Sequence, residues 1–191
     1  MGSSLANGHS MILIPRLNLD HLLKGVQKYH ATLFYGIPSL YNAILNYDKL
    51  EKYDLKSVNH YFSGADMLHE KIAEKWESFT GKKIIQGYGL SETSPVTHGN
   101  PINKVKPLSF GIPIPNTHAA LMEIGGTKLL PIGDEIGEVV IHGPQVMKGY
   151  WEKPDDTEKV FVKAKNKLWF RTGDLAKVDD EGYFYFVERL K

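Results

Sequence analysis

The first half of the chain alternates between amphipathic stretches and short apolar runs. Apolar residues recur three times at helical spacing, and in the third stretch Glu and Lys fill the positions between them. The three predicted helices carry Leu22, Leu23, Val26 and Tyr29; Leu40, Ile44 and Leu45 after Pro38; and Leu68, Ile72, Trp76 and Phe79. Apolar runs lie at residues 11–14, 32–35, 60–62 and 84–85. Strands that alternate with helices predict a parallel sheet covered on both faces.

The pattern changes near residue 100. Five of the ten prolines fall between Pro95 and Pro115, a density that argues against a helix or a central strand and predicts a long loop or a crossing between subdomains. Short β-type runs follow at 119–124, 138–141, 168–170 and 183–187, with a helix at 155–160 and a turn at 179–182. The sequence therefore predicts an α/β subdomain with a parallel sheet at residues 1–105. A small, mostly antiparallel β subdomain is predicted at residues 106–191.

Charge and cysteine content limit the partners that we expect. Lys and Arg number 23 against 22 Asp and Glu, so the net charge is +1, and nothing resembles the basic footprint of a nucleic-acid or anionic-membrane protein. The absence of cysteine excludes disulfides, Cys-ligated metals and a thiol nucleophile, and it favours a reducing, cytoplasmic compartment. No apolar run approaches the roughly 18 residues that suggest a membrane span. Small molecules are the expected partners.

Two glycine-containing loops follow predicted strands. Ser63-Gly64-Ala65 follows one strand, and Gln86-Gly-Tyr-Gly89 follows the next. Ligands collect at the carboxyl ends of parallel strands, so both loops are predicted to face one crevice. Tyr88 offers an aromatic face for a planar base, on a backbone that its flanking glycines leave free to adopt unusual φ values. The motif is not a dinucleotide fingerprint, because Glu92 stands where the third glycine belongs.

Three polar residues add candidate chemistry. Glu92 offers a carboxylate oxygen suited to Mg²⁺, and Thr93 offers a hydroxyl for a phosphate oxygen. Asp174, after the Thr172-Gly173 turn, can accept hydrogen bonds from two ribose hydroxyls. A capping residue and an exposed turn aspartate are the simpler interpretations of Glu92 and Asp174, and spacing alone leaves both alternatives open.

Taken in order, these stretches resemble the adenylate-forming, AMP-binding superfamily and, within it, the acyl-CoA synthetases. The resemblance covers nearly the whole chain. It is carried by Ser63-Gly64-Ala65, Gly87-Tyr-Gly-Leu-Ser-Glu-Thr-Ser-Pro95, Gly111-Ile-Pro113, the stretch from Gly137-Glu138 through Gly149-Tyr150-Trp151, Arg171-Thr-Gly-Asp174 and Glu188-Arg-Leu-Lys191.

The resemblance implies a nucleotide site. Tyr88 would stack on adenine, Asp174 would bind the ribose hydroxyls and Arg189 the ribose or a phosphate. Thr93 would contact the α-phosphate and Glu92 would hold Mg²⁺, which makes these two the implied catalytic residues. The full set of implied nucleotide-binding residues is Gly64, Ala65, Gln86, Gly87, Tyr88, Gly89, Thr93, Asp174 and Arg189.

The resemblance also implies a reaction and its substrates. A carboxylic acid would react with ATP to give acyl-AMP and pyrophosphate, and coenzyme A would then displace AMP to give a thioester. The overall character of the sequence favours a fatty acid as the substrate, with an aryl acid or an amino acid as alternatives.

Two parts of the family pattern have no counterpart in this sequence: the Ser/Thr/Gly-rich phosphate loop and the small C-terminal domain with its catalytic lysine. We therefore expect a piece of the large domain that is inactive by itself, and whose truncated sheet can pair with a second copy. The alternative is a non-catalytic module that binds a nucleotide or a partner.

Overall fold

A computed structural model describes residues 2–190. The helices are α1 (Gly2–Ala6), α2 (Leu19–Lys28), α3 (Pro38–Leu45), α4 (Glu70–Thr80) and α5 (Pro154–Val160), with 3₁₀ turns at Leu50–Lys52 and Ser91–Thr93. The strands are β1 (Leu33–Gly36), β2 (His60–Ser63), β3 (Ile84–Gly89), β4 (Val96–Gly99), β5 (Ser109–Pro113), β6 (His118–Met122), β7 (Gly133–His142), β8 (Phe161–Ala164), β9 (Lys167–Val178) and β10 (Phe184–Arg189).

The three amphipathic stretches of the first half form helices, as predicted. The side chain of Asn18 accepts a hydrogen bond from the His21 N–H and caps α2. Pro38 occupies the first turn of α3, where its missing N–H costs nothing. Gly81 ends α4 in the left-handed conformation, which glycine adopts without a Cβ clash. Local sequence signals therefore set these boundaries.

All strands except β8 follow one path in a ten-stranded sheet, in the order β1-β2-β3-β4-β5-β10-β9-β7-β6. The pairs β1–β2 and β2–β3 are parallel. All the pairings from β3–β4 onward are antiparallel, including that of β8 with β9. This arrangement confirms the predicted fold class of a parallel α/β part followed by a mostly antiparallel β part.

In the described part of the chain, helices α2, α3 and α4 pack on the same face of the parallel strands. Phe34, Tyr61 and Ile84 pack with buried residues of α2, α3 and α4 in what we call the helix-side cluster. On the opposite face Tyr35 stacks on Phe62 at 5.0 Å between ring centroids and remains 67% exposed. The prediction of a sheet covered on both faces is therefore wrong for this chain, because all three helices pack on the same side.

The antiparallel part has its own core. Phe110 from β5 and Phe184 from β10 pack with aliphatic residues of β6, β7 and β9. The His98 ring lies edge-on to both phenylalanines, at centroid distances of 5.1 and 4.5 Å. We call this set, together with Tyr88 that packs against it, the strand-side cluster.

Two predictions about strands are wrong. Residues 11–14 pair with no strand, because Ile12 and Ile14 pack instead beside Gly25 of α2. The proline-dense segment contains β4 and β5 near the middle of the sheet, so the expectation of a long loop without a central strand is wrong, whereas the alternative of a crossing between subdomains stays a prediction. Pro95 lies just before β4 and Pro113 is the last residue of β5, so neither interrupts a strand interior.

Candidate functional site

The carboxyl ends of β2 and β3 lie side by side, as the sequence predicted. Ser63 pairs with Gln86, and a Cβ on Gly64 would lie 3.7 Å from the Gly87 carbonyl oxygen. Ala65 follows in the left-handed region at φ +68°, a conformation that costs a non-glycine residue roughly 1–2 kcal/mol. Strain of this kind concentrates at functional sites.

Strand β3 continues through Gly89, so the stretch predicted as a loop is extended backbone. Neither Gly87 nor Gly89 adopts a positive φ, and the expectation of unusual φ values at Tyr88 is wrong. The glycines serve a different purpose. A Cβ on Gly89 would lie 1.8 Å from the Pro95 carbonyl oxygen, so Gly89 permits the close approach of the segment that leads into β4.

Tyr88 joins the two halves of the chain. Its hydroxyl donates a hydrogen bond of 2.7 Å to Oδ2 of Asp174, 86 positions away. Its ring packs against Phe110 at 4.5 Å between centroids and against His98 at 5.7 Å. Burial raises the pKa of Tyr88, and the Asp174 charge raises it further, so the phenol stays protonated and remains a donor.

Asp174 is a buried carboxylate at the centre of β9, with 5% of its surface exposed. This burial rules out the interpretation as an exposed turn aspartate. Its backbone N–H donates to Thr172 Oγ1 at 3.1 Å, and that hydroxyl donates to the Val139 carbonyl at 2.8 Å. Arg189, opposite on β10, places Nε 3.5 Å from Asp174 Oδ1 while most of its side chain stays exposed.

Thr172 and Gly173 lie inside β9, so the turn predicted before Asp174 is wrong, although Gly173 does adopt φ +73°. This segment of β9 is anchored by Glu138 on β7. The buried carboxylate accepts hydrogen bonds from Arg171 Nε at 2.8 Å and from the Gly173 N–H at 3.0 Å. Arg171 also donates to the Gly126 carbonyl oxygen. The motif that contains Asp174 is therefore held by a buried ion pair.

Glu92 and Thr93 lie in the 3₁₀ turn that follows β3. The Glu92 Oε1 atom accepts a hydrogen bond of 2.9 Å from the Tyr150 hydroxyl. The Thr93 side chain is fully buried, and its hydroxyl lies 2.6 Å from the Pro95 carbonyl oxygen. A phosphate contact by Thr93 stays a prediction, and it would require the hydroxyl to leave this backbone partner.

The residues present suit a magnesium ion that is shared with a nucleotide. Within residues 2–190, no group of three or more His, Cys, Asp or Glu side chains is arranged to hold a metal by itself. Mg²⁺ is commonly bound by one or two carboxylates together with substrate phosphates, and the single Glu92 carboxylate fits that donor set.

Reasoning from the sequence alone missed four residues that build the site: His98, Phe110, Glu138 and Tyr150. Glu138 and Tyr150 belong to motifs that carried the family resemblance, so a signal existed but no role was attached to it. His98 and Phe110 gave no signal, because their contacts with Tyr88 arise only when β3, β4 and β5 pair.

No helix in the described part of the chain is long and apolar enough to cross a bilayer.

The fold places this chain among α/β proteins, and the cluster around Tyr88 and Asp174 is a candidate nucleotide site near the carboxyl ends of the parallel strands. A family profile described as AMP-binding enzyme matches residues 1–151. The chain belongs to this family, which confirms the resemblance stated from the sequence.

Similar proteins agree with this assignment. A long-chain-fatty-acid–CoA ligase of Bacillus subtilis is 43% identical over 100% of this chain and 33% of its own length. ATP-bound MatB from Rhodopseudomonas palustris superposes with a TM-score of 0.89 at 30% identity, over 98% of this chain and 36% of that one. An anthranilate CoA ligase in complex with anthranoyl-AMP superposes with a TM-score of 0.86 at 28% identity, over 95% and 34%. The chain thus spans about a third of the length of the relatives that it matches.

Proposed function

We propose that this chain forms part of the nucleotide-binding domain of an ATP-dependent acid–thiol ligase that acts on fatty acids. In the first step an oxygen of the carboxylate attacks the α-phosphorus of ATP, and pyrophosphate leaves. In the second step the thiol of coenzyme A attacks the carbonyl carbon of the acyl-AMP formed in the first step. The C–S bond forms, the C–O bond to AMP breaks, the thiol proton is released, and the products are AMP and a thioester. The lack of cysteine is compatible with a cytoplasmic location, which we include in the proposal.

One observation carries this proposal more than any other: the hydrogen bond from Tyr88 to Asp174. It brings an aromatic ring on β3 and a buried carboxylate on β9 into one place, although 86 positions separate them. The aromatic ring could stack on a planar base, and the carboxylate could accept hydrogen bonds from ribose hydroxyls. A buried carboxylate whose nearest cation lies 3.5 Å away retains capacity to accept further hydrogen bonds.

The residues of this chain would bind and orient the nucleotide. Tyr88 would stack on the adenine, while Gly64, Ala65 and the backbone of residues 86–89 line the base pocket. Asp174 would accept the ribose hydroxyls, with Arg189 beside it as a donor to the ribose or a phosphate.

The second part of the site concerns the phosphates. Thr93 would meet the α-phosphate and Glu92 would hold Mg²⁺, which, when bound, neutralises negative charge at the reacting phosphate. Fixed donors and charges aimed at the reacting group are commonly the largest source of rate enhancement.

We propose fatty acids as substrates because the Bacillus subtilis relative is named for them. An aryl acid is the second candidate, and the similarity to the anthranilate CoA ligase favours it. We propose that the 191-residue chain does not synthesise acyl-CoA by itself, since it spans about a third of the length of its relatives. A non-catalytic module that binds a nucleotide or a partner remains the alternative.

The test is a chimera in which this chain replaces the matching third of the Bacillus subtilis ligase, assayed by ATP–pyrophosphate exchange with a fatty acid. Asp174→Ala is expected to lower ATP affinity about 10² to 10⁴-fold, because two hydrogen bonds to a charged group are lost. Asp180→Ala, at an exposed aspartate of the next turn, serves as the matched control. If the chimera is folded but inactive, or if Asp174→Ala behaves like Asp180→Ala, the nucleotide-site assignment is wrong and the non-catalytic alternative gains support.

A further inference from the structure

The Gly149-Tyr150-Trp151 motif, between β7 and α5, has no role in the function proposed so far. Trp151 is 87% exposed, whereas Tyr150 is partly buried. The Tyr150 hydroxyl donates a hydrogen bond of 2.9 Å to Glu92 Oε1, 58 positions away. The Met147 N–H donates to the backbone carbonyl of Glu92 at 2.8 Å. The same loop therefore contacts both the side chain and the backbone of Glu92.

Helix α5 fixes the other side of this loop. The Tyr150 N–H donates to Thr157 Oγ1 at 2.9 Å, and that hydroxyl donates to the Lys153 carbonyl at 2.8 Å. Gly149 adopts φ +153°, and a Cβ at this position would lie 2.7 Å from the Thr157 methyl group. The place of Tyr150 is thus set by contacts that do not involve Glu92.

We propose that Tyr150 is a positioning residue that holds the Glu92 carboxylate in one orientation, with Oε1 on the phenol and Oε2 left for a divalent cation that accompanies ATP. The inference rests on the proposed function. A side chain that is already ordered loses less rotamer freedom when it binds a ligand. Substitution of a residue that orients a metal ligand commonly lowers metal affinity about 10- to 100-fold.

The experiment uses the chimera described above and compares Tyr150→Phe with Trp151→Phe, the exposed neighbour, as the matched control. Two quantities are measured: the Mg²⁺ concentration for half-maximal ATP–pyrophosphate exchange, and the binding of Mn²⁺ with ATP in the absence of fatty acid, by water proton relaxation. Tyr150→Phe is expected to raise the Mg²⁺ requirement and to weaken Mn²⁺ binding about tenfold. Its loss of exchange rate is expected to be largest at low Mg²⁺ and to shrink as the Mg²⁺ concentration rises.

A double substitution shows whether Tyr150 acts through Glu92. In a Glu92→Gln background the effect of Tyr150→Phe on Mn²⁺ binding is expected to shrink, because the two residues share one interaction. An unchanged metal requirement in Tyr150→Phe, an equal loss of rate at every Mg²⁺ concentration, or full additivity with Glu92→Gln would overturn the inference and leave the proposed function intact. A folded parent chimera without exchange activity would instead contradict the proposed function itself.

Discussion

The helix-side and strand-side clusters are both rich in buried aromatic residues, but their tyrosines have different partners. In the helix-side cluster the Tyr41 hydroxyl donates to the Phe62 carbonyl at 2.7 Å and the Tyr61 hydroxyl to the Leu55 carbonyl at 3.2 Å. In the strand-side cluster Tyr88 donates to the Asp174 carboxylate. The first two bonds satisfy the backbone, whereas the third orients a charged group.

This difference indicates which of the two clusters couples folding stability to nucleotide binding. Trp76, the largest buried side chain of the helix-side cluster, lies edge-on to Tyr41 and Tyr61 at 4.7 and 5.1 Å between centroids. In the strand-side cluster Phe110 packs directly against Tyr88. A change in the first cluster should therefore affect folding alone, and a change in the second should affect both folding and the nucleotide site.

The largest expected effect separates the two clusters by substitution. Trp76→Ala and Phe110→Ala should each lower the free energy of unfolding by about 3–5 kcal/mol, because each leaves a cavity in a packed core. Urea titration of the 191-residue chain measures this loss. In the chimera, measured where each variant is folded, only Phe110→Ala is expected to weaken ATP binding. Equal ATP affinity in both variants would contradict the proposed coupling.

The second prediction concerns the anchor behind Asp174. Glu138→Gln is expected to lower the free energy of unfolding by about 3 kcal/mol, because Arg171 then lacks its buried counter-charge. ATP affinity of the chimera is expected to fall as well, since the Gly173 N–H loses its charged acceptor. Glu135→Gln, at an exposed position of the same strand, should change neither quantity measurably. A stability loss without any change in ATP affinity would show that Asp174 is positioned independently of this anchor.

How well the sequence predicted the fold depends on how far its signals reach. The helix start at Pro38 was predictable because its signal acts within one turn. The amphipathic stripes located α2 and α4 but extended to Tyr29 and Leu68, which lie outside these helices. The proline-dense segment was misjudged because proline removes a single N–H, and at Pro95 and Pro113 that N–H falls at a strand end. The division at residues 105 and 106 stays a prediction, and the sheet itself runs through both parts.

For the site, residue types were predictable but their contacts were not. Gly64 follows β2 and Gln86 lies in the neighbouring strand β3, so the proximity of these two was an exception that the topology of parallel sheets made predictable. The contact between Tyr88 and Asp174 depends on how β3 and β9 are brought together through the intervening antiparallel strands. The nucleotide-binding roles of these residues stay predictions that the chimera tests.

The third prediction uses pH to disturb the strand-side cluster through His98. Burial lowers the pKa of His98 to about 3, so the folded state does not take up the proton that the unfolded state binds near pH 6.5. Stability is therefore expected to fall as the pH drops below 6.5, by about 2 kcal/mol between pH 6.5 and 5. His98→Phe should remove this part of the pH dependence, measured by urea titration at each pH. An identical pH dependence in the variant would show that His98 is not the group responsible.

The smallest expected effect tests the Tyr88 hydroxyl itself. Tyr88→Phe keeps the ring that packs on Phe110 and removes only the donor to Asp174, so stability should fall by about 1 kcal/mol. In the chimera the ring can still stack on a base, but the Asp174 carboxylate loses one of the groups that orient it. The preference for ATP over 2′-deoxy-ATP should therefore shrink about tenfold, whereas the preference for ATP over GTP should not change, as measured by nucleotide competition. A loss of both preferences would mean that the hydroxyl supports the whole pocket, and a loss of neither would remove the link between Tyr88 and the ribose.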